Sequence, residues 1–437
     1  MNCVRLVPIL VSIGIMACNS DAPPPNIVLI IGDDFGYPYF GFMGSDLVET
    51  PNLDQLAKEG TTFTHGFTTA SWCRPSLWTL LTGLHFDPRT PDWLAQDLDS
   101  ERRSAQAAHI AILDRTALPR LLGGQGYVSF QGGKYWEGDP SVAGFTTGTH
   151  DFEGDNIGQV LAGGSGLRLG RETMQPLWEF LDVNGHTHPF FVWFAPALPH
   201  RPHDAGEEFL DPYRNRDILT QAQLYYANIT RFDASVGELL RYLDEKELRS
   251  DTLVVFISDN GWEQSAHRAT NEMIGGDRGK HSIYEYGFRT PIIFSWPGHI
   301  DEGVMRRELV SSVDLFPTLL DYAGIDTPPG RMGISLYPLL SKGGTYERRQ
   351  VIGEVQELRD PSLRKRQYRL EPERAYFLRD SVWRYVWFSD RQADELYRIE
   401  EDPREAHNLI AKHRPRAIRY RAEIQSWRRK IRESRAQ

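Results

Sequence analysis

Five stretches of the chain are apolar runs that end in polar residues. NIVLIIGDD (26–34) is unbroken from Ile27 to Ile31 and closes on two aspartates. DTLVVFISDNG (251–261) repeats the design, again with acids at its carboxyl end. FFVWFAPALPH (190–200) ends in a histidine, YVSFQGGKYW (127–136) is shorter and runs into a lysine, and PIIFSW (291–296) is the fifth. A strand that is apolar on both faces belongs inside a parallel sheet covered by helices. Between these runs the period changes. TPNLDQLAKEG (50–60) reads as a helix with Pro51 near its start and Gly60 as its stop. YYANITRFDASVGELLRYLDEKEL (225–248) carries apolar residues at helical spacing. The alternation predicts an α/β domain whose mostly parallel central sheet is sandwiched by helices.

Beyond about position 345 the texture differs. YFLRDSVWRYVWFSD (376–390) alternates and is aromatic, as antiparallel strands are. AIRYRAEIQSWRRKI (417–431) puts Ile424, Trp427 and Ile431 on one helical face, which is expected to pack on its own domain rather than on a membrane. The organisation expected is a main α/β domain over 26–344 and a small α+β subdomain with an antiparallel sheet over 345–437. A chain of 437 residues can supply both cores. Its net charge of −10, with no basic face, argues against a nucleic-acid partner.

The first residues are MNCVRLVPILVSIGIMACNSDAPPPN. One arginine precedes an apolar run from Leu6 to Ala17, too short to span a bilayer and suited to a signal-peptide core. It ends in IMAC, which resembles the lipobox of bacterial lipoproteins. On that reading 1–17 is the signal peptide, Cys18 carries lipid, and 18–25 is an extended tether. The protein is then expected outside the cytoplasm, in a bacterial cell envelope or periplasm, touching the membrane through its anchor.

This accounting leaves Cys73 alone. Cys3 leaves with the signal and Cys18 is modified, so no internal disulfide is possible. Cys73 sits in TTASWCRPSLWTLLTG (68–83). Pro75 fits the first turn of a helix running through Trp78, Leu80 and Leu81 to Gly83. That places Cys73 at a helix N-terminus, where free N–H groups favour an anion and are expected to acidify a thiol.

In an open α/β sheet, ligands bind beyond the carboxyl ends of the strands. There the runs above place Asp33 and Asp34, Lys134, His200, and Asp259 with Asn260. Three carboxylates and an amide oxygen are hard ligands that suit Ca²⁺ or Mg²⁺ rather than zinc. Without a cation the carboxylates would repel one another.

CRPSLWTLLTG resembles the sulfatase signature, C-x-P-S-R followed by a short spacer and T-G. PNIVLIIGDD, TPNLDQLAKEGTTFTHGF, FISDNG, GKHSIYEYGFRTPIIFSWPG (279–298) and DELYRIEEDPREAHNL (394–409) are similar to further segments of that family, so the likeness covers nearly all of the expected mature chain. The resemblance implies the alkaline-phosphatase-like fold and hydrolysis of sulfate esters. It implies that a formylglycine-generating enzyme oxidises Cys73 to formylglycine. One hydroxyl of the hydrated aldehyde then attacks sulfur and the other later expels sulfate. Asp33, Asp34, Asp259 and Asn260 would hold Ca²⁺ beside residue 73. Lys134 would steady the nucleophile and the sulfate. His200 and Lys280 would serve the leaving group and the sulfate oxygens. His203 and His281 receive no role.

Two positions depart from the family pattern. Leu77 stands where the family has the arginine that positions the nucleophile and helps the maturing enzyme recognise it. Trp136 stands where the family has the histidine that acts on the formylglycine hydroxyl. Both bear on maturation or use of residue 73, so the formylglycine expectation is the one they put in question. Two rival readings follow. One is a phosphodiesterase or phosphonate monoester hydrolase of the same superfamily. The other is a sulfated-glycan binding protein with impaired catalysis. The leading expectation is a sulfuric ester hydrolase acting on a sulfated carbohydrate or an aryl sulfate.

Overall fold

The computed structural model describes residues 23–86, 116–151, 162–262, 278–341, 344–356, 374–389 and 393–434. The leader and Cys18 lie outside the described residues. An eight-stranded sheet forms the centre. Its strands are β1 (Asn26–Gly32), β2 (Thr61–Phe67), β3 (Val128–Gly133), β4 (Thr147–Gly148), β5 (Phe190–Ala195), β6 (Thr252–Ser258), β7 (Arg289–Ser295) and β8 (Val304–Ser311). They lie in the order β4-β3-β5-β1-β6-β7-β2-β8. The five strands from β4 to β6 are parallel, with Ile27 opposite Leu253 and Val28 opposite Val254.

The apolar runs split between two cores, as a two-residue repeat requires. Val28, Ile30, Val254 and Phe256 face one layer, with helices α1 (Pro51–Lys58), α4 (Gln175–Asn184) and α5 (Thr220–Glu245). Ile27, Leu29, Ile31, Val255 and Ile257 face the other, with α2 (Cys73–Thr82), α3 (Leu118–Gly123) and α6 (Leu315–Tyr322). Strands β1 and β6 are therefore buried on both sides, and the α/β reading holds.

Three features differ from the sequence reading. The run at 291–296 forms β7, which is antiparallel to both β6 and β2. Hydrophobicity gives a strand's burial but not its direction. Strands β2 and β8 are absent from the sequence reading. Strand β2, TTFTHGF, carries polar residues and an irregular register near Gly66. Strand β8 is an edge strand with alternating exposure, so neither shows an apolar run.

A second, antiparallel sheet follows: β9 (Gln350–Gln356), β10 (Arg374–Asp380), β11 (Trp383–Phe388) and β12 (Glu395–Arg398), ordered β12-β11-β10-β9. The last helix, α7 (Arg414–Ser434), packs on it. Ile424 and Ile431 are buried and Trp427 is half-buried, with Ile424 against Tyr376, Tyr385 and Trp387. That face is covered by its own sheet, as the sequence indicates.

Candidate active site

The carboxyl ends of β1, β3, β5 and β6, the N-terminus of α2 and the segment before β7 that carries Lys280 meet at one point. After β1 the chain turns through Asp34, whose φ of 66° is the left-handed region that a non-glycine residue occupies at a cost. The Asp259 backbone N–H donates to the Gly32 carbonyl at 2.8 Å, and the Asp34 N–H donates to the Asp259 carboxylate at 3.2 Å. The Tyr225 hydroxyl, reaching in from α5, donates to the Asp34 carbonyl at 2.6 Å. These bonds hold the two strand tips together.

Cys73 opens α2, with Trp72 as its extended N-cap and Gly83 (φ 67°) as its left-handed stop. The Cys73 Sγ lies 3.5 Å from carboxylate oxygens of both Asp33 and Asp34. Lys134 Nζ is 2.6 Å from Asp33 and 3.2 Å from Sγ. Gly133 positions that lysine: its φ is 84°, and a Cβ there would stand 2.2 Å from the Ala195 carbonyl oxygen. Lys280 Nζ is 2.6 Å from Asp34 and 3.3 Å from Sγ. The Asn260 amide donates to Asp34 at 3.2 Å and to Asp259 at 2.5 Å. His200 stands at the open side, with Nε2 3.7 Å from Asp34 and a side chain 37% exposed. Its Nδ1 donates to the Arg201 carbonyl at 2.8 Å, since a carbonyl only accepts, and that leaves Nε2 toward the pocket. The structure brings all the sequence-predicted site residues together.

Ligand atoms from Asp33, Asp34, Cys73 and Asp259 all lie within 4.8 Å of one another, and all four residues are buried. Asp33 Oδ2, Asp259 Oδ2 and Asn260 Oδ1 are buried with no hydrogen-bond partner. Buried oxygens of this kind are ordinarily satisfied. The two orphaned carboxylate oxygens, beside a cluster of hard donors, fit a divalent cation such as Ca²⁺. The Asn260 amide turns its nitrogen to Asp34, Asp259 and Sγ, and its oxygen joins the set once the amide is turned over.

The charges are strongly shifted. Burial opposes ionisation of Asp34, yet Lys280, His200 and Lys134 hold its carboxyl far below the usual range. Burial and then the Asp33 charge push Asp259 up. Burial disfavours charge on the two lysines, but Asp33 raises Lys134 and Asp34 raises Lys280. The Cys73 thiol corrects the sequence expectation. It is pushed well up, by burial first and then by the Asp259 charge, with the two lysines pulling the other way. Desolvation and neighbouring carboxylates outweigh a helix N-terminus.

The two departures are visible too. Leu77 is buried among the apolar residues of the α2–α3–α6 layer, and Trp136 packs against the same cluster with its indole N–H buried and unpaired. His281 has φ 67° and its N–H donates to the Ser71 carbonyl at 2.8 Å, so it fixes the approach to Cys73 through backbone. The His203 ring packs 5.3 Å from that of Tyr225.

Sequence reasoning missed Arg171. Its guanidinium donates to the carbonyls of Ala197 (2.6 Å), His200 (2.8 Å) and Pro202 (3.0 Å) and pairs with Asp204. One side chain thus gathers the loop that carries His200. No local motif announces this, because the acceptors are backbone carbonyls some thirty positions away. Replacing Arg171 with methionine is expected to lower kcat about 10- to 100-fold by displacing His200. In a His200→Asn background the same change should cost little, because the displaced group is already gone. Steady-state kinetics on the four proteins checks it.

Comparison with known proteins agrees with this geometry. Residues 25–325 match the sulfatase family, and residues 276–433 match the N-sulphoglucosamine sulphohydrolase C-terminal family. Human N-acetylgalactosamine-6-sulfatase is 30% identical over 370 residues, 75% of this chain and 68% of that protein. The solved structure of BT4656 in complex with its substrate D-glucosamine-2-N,6-O-disulfate superposes with a TM-score of 0.72. It is 19% identical and covers 94% of this chain and 98% of its own. The phosphonate monoester hydrolase of Agrobacterium radiobacter gives a TM-score of 0.69 at 20% identity, covering 93% and 96%. The fold and the matches define a hydrolase of the sulfatase-like fold class. Within it, the chain belongs to the sulfatase family and is a sulfuric ester hydrolase.

Proposed function

We propose that this enzyme hydrolyses the sulfate ester of a sulfated carbohydrate or aryl sulfate, with residue 73 as nucleophile and Ca²⁺ held by Asp33, Asp34, Asp259 and Asn260. The observation that carries the reading is the convergence of those four residues and two lysines on the Cys73 Sγ. Ca²⁺ bound there supplies positive charge to a sulfate oxygen and to the nucleophile.

The residues divide the work. Lys134 and Lys280 offer fixed ammonium donors where charge grows on the sulfate oxygens. A plain thiol that took up the sulfonate group would have no built-in way to release it. Formylglycine at position 73 solves this. One hydroxyl of the hydrated aldehyde forms the bond to sulfur as the bond to the leaving oxygen breaks. The leaving oxygen takes a proton from Lys280, or from Nε2 of a His200 ring that carries protons on both nitrogens. The group's second hydroxyl would let sulfate leave as the aldehyde re-forms, its proton passing to water. Leu77 and Trp136 sit in apolar packing, and neither makes one of the contacts to Cys73 Sγ described above. We place the enzyme outside the cytoplasm, anchored at Cys18.

The rival reading, a phosphonate or phosphodiester hydrolase, is favoured by the phosphonate hydrolase fold neighbour. Matched sulfate and phosphate aryl esters should be offered to protein made together with a formylglycine-generating enzyme. Faster turnover of the sulfate ester is expected, with an aldehyde in the peptide that holds residue 73. Preference for the phosphate ester, or an unmodified thiol in fully active protein, would overturn the reading.

A further inference from the structure

A buried ion pair joins the two chain segments that carry Cys73 and Lys134. Arg74 follows Cys73 in the first turn of α2, and Glu137 lies three residues beyond Lys134. Arg74 Nε and Nη2 each donate at 2.8 Å to a different oxygen of Glu137. The two side chains are only 9% and 4% exposed. Two parallel bonds fix angle as well as distance.

Stability alone does not account for such a pair, since apolar side chains of similar volume commonly hold a buried site as well. What the pair does specify is the relative place of the two segments it joins. Those segments carry Cys73 and Lys134, whose Sγ and Nζ meet at 3.2 Å. Leu77, in contrast, contributes only apolar packing, and so does the ring of Trp136. Arg74 stands three residues before Leu77, on the same side of the helix. Glu137 is the neighbour of Trp136.

Resting on the hydrolase reading above, we propose that Arg74 and Glu137 are a positioning pair that sets Cys73 against Lys134. The guanidinium that steadies the nucleophile then comes from position 74, one turn ahead of Leu77, and it acts through the loop rather than on the anion itself. Neither residue touches substrate. The pair is neutral overall, so it orders the site without changing the charge of the pocket.

The test uses four variants of the full chain: Arg74→Met, Glu137→Gln, Arg74→Lys and the double Arg74→Met/Glu137→Met. The single changes to methionine and glutamine should lower kcat about 10- to 100-fold with KM within about threefold. They should also lower the thermal midpoint, because each strands a buried group. The double variant should regain the midpoint, having no lone buried charge, and its kcat should stay low. Arg74→Lys keeps the charge but not the fork and should not restore kcat. A double variant whose kcat returns with its midpoint would make the pair merely structural and overturn the proposal. So would a folded single variant with unchanged kcat. Ca²⁺ titration calorimetry without any ester gives an independent readout, in which the double variant should bind about tenfold more weakly, because residue 73 no longer meets the ion in register. If the unmodified sequence turns over neither ester, the hydrolase reading fails by itself. Unchanged Ca²⁺ affinity in the double variant would then overturn the pair separately.

Discussion

Replacing Cys73 with alanine is expected to reduce sulfate-ester turnover by about 10⁴-fold or more, while the protein stays folded and still binds Ca²⁺. As the proposed nucleophile, residue 73 is the one group in the site with no substitute. Lys134 and Lys280 are held by Asp33 and Asp34, and His200 stands on the exposed side. The residual rate should come from the ion and the lysines alone. Truncation removes a single buried sulfur near the start of α2 and leaves the helix caps and the Ser71–His281 backbone bond in place. A modest loss of stability is therefore expected, on the order of 1 kcal/mol. Steady-state kinetics with a thermal melt separates the two effects. A binding protein without catalysis would behave otherwise, with no turnover before or after the change.

The second large effect concerns Asp259, and its sign is unusual. Asp259→Asn should raise the thermal midpoint of metal-free protein and abolish its rise on adding Ca²⁺. It should also cut turnover by about 10³-fold or more, since the ion's charge stabilisation is worth several kcal/mol. The reason lies in the cluster. Without a cation the Asp259 carboxylate is buried beside Asp33, with one oxygen unpartnered, so its charge is a cost to the fold. An amide of the same shape removes that cost. With the ion present the balance reverses, because a ligand that binds only the folded state stabilises it by about 2.7 kcal/mol at a hundredfold excess over Kd. Melting curves with chelator and with Ca²⁺, for both proteins, measure the four values required. A fall in the metal-free midpoint would mean that Asp259 is held by interactions other than those described.

Much of this was readable in the sequence, for a definite reason. Ile27 to Ile31, Phe190 to Ala195 and Leu253 to Ile257 are buried on both faces, so their strands appear as unbroken apolar runs. The polar residues that end those runs are the ones that meet in space: Asp33 and Asp34, His200, and Asp259 with Asn260. Lys280 was legible only through the family resemblance, because it lies on a segment without periodic pattern. The direction of β7 and the existence of β8 were not legible, since apolar periodicity records burial and not strand polarity, and an edge strand has little burial to record. Arg171, Tyr225 and the Arg74–Glu137 pair were also hidden. Arg171 and Tyr225 bond backbone carbonyls far along the chain, and Arg74 meets a carboxylate 63 positions away. The acidified thiol was misjudged because the helix terminus is a local feature and the carboxylates that overrule it are not.

The central claim is that the tips of β1 and β6, separated by more than two hundred residues, enclose one divalent ion beside residue 73 and so create a seat for a tetrahedral oxyanion. Diffraction from crystals grown with saturating Ca²⁺ and a sulfate ester analogue tests this most directly, through the anomalous signal of the ion. A single peak is predicted, with oxygens of Asp33, Asp34, Asp259 and Asn260 roughly 2.3–2.6 Å from it and the anion between it and the two lysines. Empty density at that point, or a peak held by other residues, would contradict the claim.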